Sequence, residues 1–117
     1  MPVAAKRIYE PPSRGDGYRV LIDGVWPRGI TRERAAVDRW ARELAPSSQL
    51  RRWYGHAPDR FEEFARRYRA ELGAQRERMS ELRRRSRNAV VTLVFAARDA
   101  EHSNATVLAD VLRRGLR

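Results

Sequence analysis

The segment from Ala89 to Ala97 constrains the fold of this chain more than any other. It reads Ala-Val-Val-Thr-Leu-Val-Phe-Ala-Ala, and its length and β-branched residues predict a central strand buried on both faces. Such strands are usually parallel to their neighbours and covered by helices. A chain of 117 residues fits one domain. We therefore expect residues 1–117 to form a small three-layer α/β domain, with a mainly parallel sheet of three to four strands and helices on both faces.

Two further strands and a helix are expected in the first part of the chain. Val3 to Tyr9 predicts a first strand that the following prolines close, and Tyr18 to Asp23 predicts a second. Thr31 is a candidate N-cap for a helix, because apolar residues recur after it at helical spacing until Pro46. These apolar residues are Val37, Trp40 and Leu44.

The middle of the chain is predicted to be helical. Ser47 or Ser48 can cap a short helix that Gly55 ends. Residues 59–62 have the form of a capping box and open the longest periodic segment of the chain, which Gly73 need not break. Its apolar stripe consists of Phe61, Phe64, Tyr68, Leu72, Met79 and Leu82. A closing helix is expected after the central strand and the loop that follows it.

The charge of the chain is strongly positive, with a formal net charge of +10 and an isoelectric point near 11.3. Such a surplus raises the question of nucleic acid, because cationic side chains release counterions from phosphates. However, Lys6 is the only lysine among 25 cationic residues, and the use of arginine beside abundant alanine is typical of a compositionally biased genome. A general basic bias of the surface is the preferred interpretation.

Several classes of site have no support in the sequence. The chain has no cysteine, which excludes thiol nucleophiles, thiolate metal sites and disulfides. The two histidines lack metal-ligand spacing, and no glycine-rich nucleotide motif is present, so we expect neither a metal nor a cofactor. Residues 1–6 are too short for a signal peptide, and no run approaches the roughly 20 apolar residues of a membrane helix. A cytoplasmic protein that does not bind membranes is the expectation.

A set of landmarks spans nearly the whole chain and is specific when taken together. It consists of Arg7-Ile8-Tyr9-Glu10-Pro11, Asp16-Gly17-Tyr18-Arg19-Val20-Leu21-Ile22-Asp23, Trp26-Pro27-Arg28-Gly29, Trp40, Glu43-Leu44-Ala45-Pro46-Ser47, Leu50-Arg51, His56, Phe64, Tyr68, Glu71-Leu72, Thr92-Leu93, Asp99, His102 and Asn104-Ala105. These landmarks resemble the YeaO-like branch of the domain-of-unknown-function 488 (DUF488) family. The resemblance implies a small single-domain α/β protein of bacterial type, and it implies no particular reaction.

The chain departs from the family pattern at two positions. Where the pattern usually reads Asp-Arg-Leu-Trp-Pro-Arg-Gly, Gly24 takes the place of the first arginine. If that arginine contacts a ligand, this protein has lost a charged donor or recruits another. Arg98 stands where lysine is common, which keeps the charge and changes its geometry from a point to a fork.

Two sets of polar residues follow predicted strands. Asp23, Trp26 and Arg28 come at the end of the second strand, and residues 98–104 follow the central one. If the two strands are parallel neighbours, both sets open at the same edge of the sheet, where open α/β sheets keep their ligands. The candidate ligand-binding residues are Arg19, Trp26, Arg28, Arg98 and Asn104.

We expect this edge to bind a small anionic molecule that carries phosphate or carboxylate. Arg28 and Arg98 would bind the anion beside the start of the closing helix. Asp23 would orient the arginines or act as a base, and His102 with Asp99 would shuttle a proton. The candidate catalytic residues are therefore Asp23, Asp99 and His102, and whether the protein is an enzyme stays open.

Two other interpretations are kept beside this one. In the first, the domain is structural or binds a partner: Asp23 pairs with Arg28 or Arg19 to pin the turn, while Asp99 and Asn104 cap the closing helix. In the second, the arginine-rich helical segment associates with nucleic acid. The arginines of that segment are Arg66, Arg67, Arg83, Arg84 and Arg85. The sequence does not predict an oligomeric state.

Overall fold

A single parallel sheet organises the structure, a computed structural model that describes residues 2–116. Its strands within that range are β1 (Val3–Arg7), β2 (Tyr18–Leu21), β3 (Arg39–Trp40) and β4 (Val91–Phe95). Their order across the sheet is β1-β4-β2-β3, and each neighbouring pair is parallel. The strand predicted to be central is therefore central, although it is the last one in the sequence. The predicted small α/β fold is confirmed.

Helices cover the sheet unequally on its two faces. Within residues 2–116 the α-helices are α1 (Arg32–Ala35), α2 (Ser48–Tyr54), α3 (Phe61–Leu72), α4 (Arg76–Asn88) and α5 (Asn104–Arg114). The larger core lies on the face covered by α2 to α5, and the smaller core lies on the face covered by α1 and its flanking loops. No helix in the described range is long and apolar enough to cross a membrane.

Side chains of β4 enter both cores, as the strand periodicity of two requires. Leu93 and Phe95 belong to the larger core, whereas Val94 belongs to the smaller one. The strand is buried from end to end, with Val91 and Leu93 at 0 % exposure and Phe95 at 2 %. Burying a Leu or Phe side chain of this kind contributes about 1.5–3 kcal/mol. Because the strand is buried on both faces, its sequence is an almost uninterrupted apolar run.

The prediction of one helix that carries Val37, Trp40 and Leu44 is wrong. The short helix α1 ends at Ala35, and its C-cap residue Ala36 adopts the left-handed conformation with φ 48°. The next residues pair with β2: the Asp38 amide donates to the Arg19 carbonyl and the Ala41 amide to the Leu21 carbonyl, both at 2.8 Å. The exposed backbone of a parallel strand needs such partners, and this requirement overrides the local helical spacing.

The prediction for the middle helices holds with two changes. Ser47 caps α2 by accepting the Leu50 amide, and Gly55 ends it with φ 54°, as expected. The capping box at residues 59–62 does not form, because the 3-10 turn Pro58–Arg60 precedes α3. The long periodic segment is divided by a second 3-10 turn, Gly73–Gln75. Its apolar stripe is buried nevertheless: Phe64, Tyr68, Leu72, Met79 and Leu82 are each at most 2 % exposed.

Candidate functional site

The half-buried Asp23 lies just beyond the carboxyl end of β2, facing the end of β4. The ladder between these strands extends to the Ile22 amide, which donates to the Val94 carbonyl at 3.0 Å. Oδ2 of Asp23 accepts the Ala96 amide at 2.9 Å, and Oδ1 accepts Nδ2 of Asn104 at 3.1 Å. The structure thus brings Asp23 and Asn104 together, because β2 and β4 are parallel neighbours.

Burial raises the pKa of Asp23 above its ordinary value of 3.8. The hydrogen bonds from Asn104 and Ala96 oppose this rise, as do the charges of Arg51 and His56. The direct donors to the carboxylate are neutral, and no cation forms an ion pair with it within residues 2–116. Each of its oxygens can accept one hydrogen bond more than the described residues supply. Asp23 is therefore a partly desolvated acceptor with unused capacity.

The end of α2 brings Arg51 and His56 towards this carboxylate. The Tyr54 hydroxyl donates to the His102 carbonyl at 2.6 Å, which fastens the end of α2 to the loop before α5. His56 is exposed and has φ 56°, directly after Gly55 with φ 54°. A residue other than glycine in this left-handed region costs roughly 1–2 kcal/mol. The sequence analysis did not select Arg51 or His56 for the site. The one sequence feature that pointed to these residues was their presence among the family landmarks.

Asp99 and His102 form a pair on the same loop. Nδ1 of His102 lies 2.7 Å from Oδ2 of Asp99, and the His102 amide donates to the other carboxylate oxygen at 3.3 Å. This interaction with His102 lowers the pKa of Asp99 below its ordinary value. The His102 ring packs edge-on against Phe61, with the centroids 5.2 Å apart. The predicted contact between these two residues is present, while their role in proton transfer stays a prediction.

Arg28 and Arg98 are exposed beyond the ends of β2 and β4, respectively. Neither makes an ion pair or a side-chain hydrogen bond within residues 2–116. Trp26 is engaged instead: Nε1 donates to the Ile30 carbonyl at 2.6 Å, and the ring meets that of Trp40 at 5.4 Å. Trp26 therefore packs onto the smaller core, which is the alternative to a pocket wall that the sequence left open.

Arg19 lies away from this edge, in a second carboxylate centre before β2. Its Nη1 contacts Asp16 at 2.7 Å, and its other nitrogens donate to the carbonyls of Ala35 and Ala36. Arg19 is 4 % exposed and Asp16 is 7 % exposed. The guanidinium is thus fully used in holding α1 to the sheet. We correct the assignment of Arg19 to the ligand-binding set, and the pairing of Asp23 with Arg19 or Arg28 does not occur among the described residues.

Asp16 is surrounded by donors. Lys6 Nζ lies 3.1 Å from its carboxylate, and both the amide and the hydroxyl of Ser13 donate to it at 3.0 Å. Desolvation raises the pKa of Asp16, but the hydrogen bonds from Ser13, Lys6 and Arg19 outweigh it and lower the pKa from 3.8 to about 2. The adjacent Gly17 has φ 62°, and a Cβ there would lie 2.2 Å from the Val90 carbonyl oxygen.

The arginines considered for nucleic acid are mostly engaged within the protein. Arg66 and Arg67 both bind Glu63, at 2.6 and 2.8 Å. Arg83 donates to the carbonyls at the end of α5, and Arg85 stacks on Tyr18 at 3.9 Å from its ring centroid. Of the five, only Arg84 has no partner within the described range. Four of the five arginines therefore have partners within the protein, which weakens the nucleic-acid interpretation.

A metal centre and a cavity are two other candidate sites. No group of three or more acids and histidines within residues 2–116 is arranged to hold a metal ion. A cavity of about 350 Å³ is lined by Glu43, Ala45, Ser47, Glu71, Leu72 and Gln75. Its two carboxylates have partners within the protein, since Glu71 accepts the amide and hydroxyl of Ser47 at 2.8 and 2.6 Å, and Glu43 binds Arg39 at 3.0 Å. Gly24 lies beside it, and a Cβ there would contact Ala45 at 3.7 Å.

Comparison with known proteins places these landmarks in a family. The chain is 44% identical over 110 residues to the uncharacterised protein Rv3073c of Mycobacterium tuberculosis, covering 94% of this chain and 92% of the relative. It is 37% identical over 114 residues to the uncharacterised protein YeaO of Escherichia coli, covering 97% of this chain and 98% of the relative. No solved structure matches the chain significantly.

The family match extends over the whole site. The sequence profile described as the inactive DUF488-N3 subclade matches residues 2–117. The matched range includes Asp23 and Asn104 with their strands, and the end of α2 with Arg51 and His56. The same range contains the paired Asp99 and His102. With the profile match over residues 2–117 and the full-length relatives in agreement, this chain belongs to the DUF488 family.

Proposed function

We propose that this protein binds a small anionic ligand at the carboxyl ends of β2 and β4 and does not turn it over. The observation that carries the proposal is Asp23, a partly desolvated carboxylate with neutral donors, beside which α2 brings Arg51 and His56. Such an arrangement is typical of a ligand site, because a carboxylate kept for stability is usually saturated by its own protein.

The charge of this edge favours an anion. Arg28, Arg51 and Arg98 are exposed and form no ion pair within residues 2–116. The acids Asp23 and Asp99 offset these three arginines only in part, and Asp99 is paired with His102. A surface with a surplus of one sign of charge concentrates ligands of the opposite sign.

Binding without turnover fits the residues better than catalysis. Asp23 contacts Asn104 and Ala96, whereas His102 contacts Asp99, so the three candidate catalytic residues do not form one hydrogen-bonded system among the described residues. The family description of the subclade as inactive points the same way. Nucleic acid is not adopted as a second function, because most of the candidate arginines have partners within the protein.

The test compares Arg51→Gln with Arg52→Gln. Both arginines are exposed on α2 and make no described ion pair, so the two variants lose the same charge at neighbouring positions. Thermal unfolding is measured in phosphate, sulfate and citrate against sodium chloride at matched ionic strength. We expect an anion to raise the Tm of the wild type and of Arg52→Gln, and to raise that of Arg51→Gln much less.

The alternative result is equally clear. Equal responses of all three proteins would mean diffuse screening of a basic surface, and would contradict a site at this edge. Arg28→Gln and Arg98→Gln, measured in the same salts, show whether the arginines that follow the two strands also contact the anion.

A further inference from the structure

Asp23 leaves hydrogen-bonding capacity unused in a half-buried position. A carboxylate offers about four acceptor sites, and the described residues fill two of them, through the Ala96 amide and Asn104. Asp16, by comparison, receives bonds from Lys6, Arg19 and both donors of Ser13. A fully deprotonated anion such as sulfate would bring no donor to Asp23 and would be repelled by its charge. A ligand that satisfies Asp23 must therefore carry a donor of its own.

His56 adopts a left-handed conformation in the turn that follows α2, where the Ala57 amide donates to the Tyr54 carbonyl at 3.0 Å. Its φ of 56° lies in the left-handed region, which favours glycine. Its side chain is exposed and makes no hydrogen bond within residues 2–116, and its ring stands 6.3 Å from that of Tyr54. Strained residues of this type cluster at ligand sites, where the surrounding structure holds them in place.

The two residues are positioned from different elements that are joined by direct bonds. Asn104 ties Asp23 to the start of α5, and Tyr54 ties the end of α2 to the loop just before it through the His102 carbonyl. A ligand between them meets an acceptor on the strand side and cationic or neutral donors on the α2 side. The site therefore offers a hydrogen-bond acceptor on one side and hydrogen-bond donors on the other.

We propose that the ligand is a hydroxylated anion, such as a polyol phosphate or a hydroxy acid, with its hydroxyl group on Asp23 and its anionic group on His56 and Arg51. This inference rests on the proposed anion site and adds the chemical class of the ligand and the role of His56. Asp23 then selects against anions of similar size that lack a hydroxyl group, because such anions leave the half-buried acceptor without a partner.

The test uses two probes that differ only in their hydroxyl groups. Glycerol 3-phosphate and n-propyl phosphate have the same phosphate and the same number of carbon atoms. Calorimetric titration of the whole chain is expected to give a Kd for glycerol 3-phosphate at least about tenfold below that for n-propyl phosphate, since one hydrogen bond to a charged acceptor supplies that factor. In Asp23→Asn the ratio of the two Kd values is expected to fall towards one.

His56→Gly separates the role of His56 from that of the fold. Relief of the left-handed strain is expected to raise the Tm, while both probes bind more weakly by a similar factor and their ratio is kept. Ala36→Gly is the matched control, because Ala36 has φ 48° and lies in α1's cap, away from the site. It is expected to raise the Tm without changing either Kd.

The outcomes distinguish this inference from the proposed function beneath it. If both probes bind through Arg51 with equal Kd in the wild type, the hydroxylated class is overturned and the anion site stands. If His56→Gly binds both probes as tightly as the wild type, the role of His56 is overturned. If neither probe binds more tightly than chloride, the anion site itself fails. If Asp23→Asn does not fold, the ratio of the two Kd values in the wild type and the binding of both probes to His56→Gly still test the inference.

Discussion

Asp16 and Asp23 stand at opposite ends of the same strand, β2, and their surroundings differ in kind. Asp16 receives bonds from two cations and from both donors of Ser13, and its pKa falls to about 2. Asp23 receives bonds from two neutral groups, and burial raises its pKa. Sequence alone presents two similar acids seven positions apart. The identity of the donors, rather than burial, is what separates a structural carboxylate from one kept for a ligand.

The largest effect is expected from Asp16→Asn. This change leaves Arg19, which is 4 % exposed, without its ion-pair partner. Removing one partner of a buried pair typically costs about 3–5 kcal/mol. Urea denaturation should therefore show a loss of that size, whereas the exposed Asp59→Asn should change the free energy of unfolding by less than about 0.5 kcal/mol. A small loss for Asp16→Asn would break the contrast between the two acids.

Gly17→Ala tests the backbone that holds Asp16 in place. The new Cβ would lie 2.2 Å from the Val90 carbonyl oxygen, at a φ of 62°. We expect a loss of about 3 kcal/mol, from strain and from displacement of the strand that Val90 precedes. Gly29→Ala is the control, because its φ is 76° with no atom within 4 Å of the new Cβ. We expect Gly29→Ala to lower the free energy of unfolding by the conformational cost alone, about 1 kcal/mol, in the same denaturation experiment.

The pH dependence of stability should have opposite signs at the two acids. The folded-state pKa of Asp16 is lowered from 3.8 to about 2, so its contribution is complete above pH 3.8 and is lost as the pH falls towards 2. The raised pKa of Asp23 makes its ionised form unfavourable, so its contribution declines as the pH rises above 3.8. The stability difference between wild type and Asp16→Asn should shrink between about pH 5 and pH 2. A constant difference over that window would refute the assignment.

Asp23→Asn should affect stability far less than the change at Asp16. The loss of an acceptor is offset by removal of a partly desolvated charge, and we expect a change within about 1 kcal/mol in the free energy of unfolding. Ligand binding should fall instead, as measured with the phosphate probes. A loss of stability as large as that of Asp16→Asn would show that Asp23, like Asp16, stabilises the fold.

The smallest effect on stability is expected from Gly24→Arg, which restores the residue usual in the family. A Cβ at this position would make an ordinary contact of 3.7 Å with Ala45, so the fold accommodates it. We expect a change below about 0.5 kcal/mol in the free energy of unfolding, measured in urea. A tighter Kd for phosphate probes would show that an arginine at this position adds a further cation to this edge, and an unchanged Kd would leave Arg51 and His56 as the cationic side of the site.

The sequence predicted those parts of the fold that depend on local pattern. The β4 run and the stripe of α3 and α4 are long enough to fix their own structure, and parallel pairing then brought Asp23 near Asn104 as expected. The segment around Trp40 was misread because an unsatisfied strand edge decided its conformation. Arg51 and His56 were missed because long-range contacts place them at the site, namely the packing of α2 in the larger core and the bond from Tyr54 to His102.

The order of the strands governs when this sheet can form during synthesis. β1 and β2 leave the ribosome first, yet they do not pair with each other: Val3 and Tyr18 both have Val91 as their register partner. Until β4 is made near the end of the chain, β1 therefore has no neighbouring strand and β2 has only the two-residue β3. Contacts that span so much sequence slow folding, and unpaired strand edges expose the nascent chain to aggregation in the meantime. We therefore expect a chaperone that shields residues 3–21 until β4 emerges to raise the yield of the native domain.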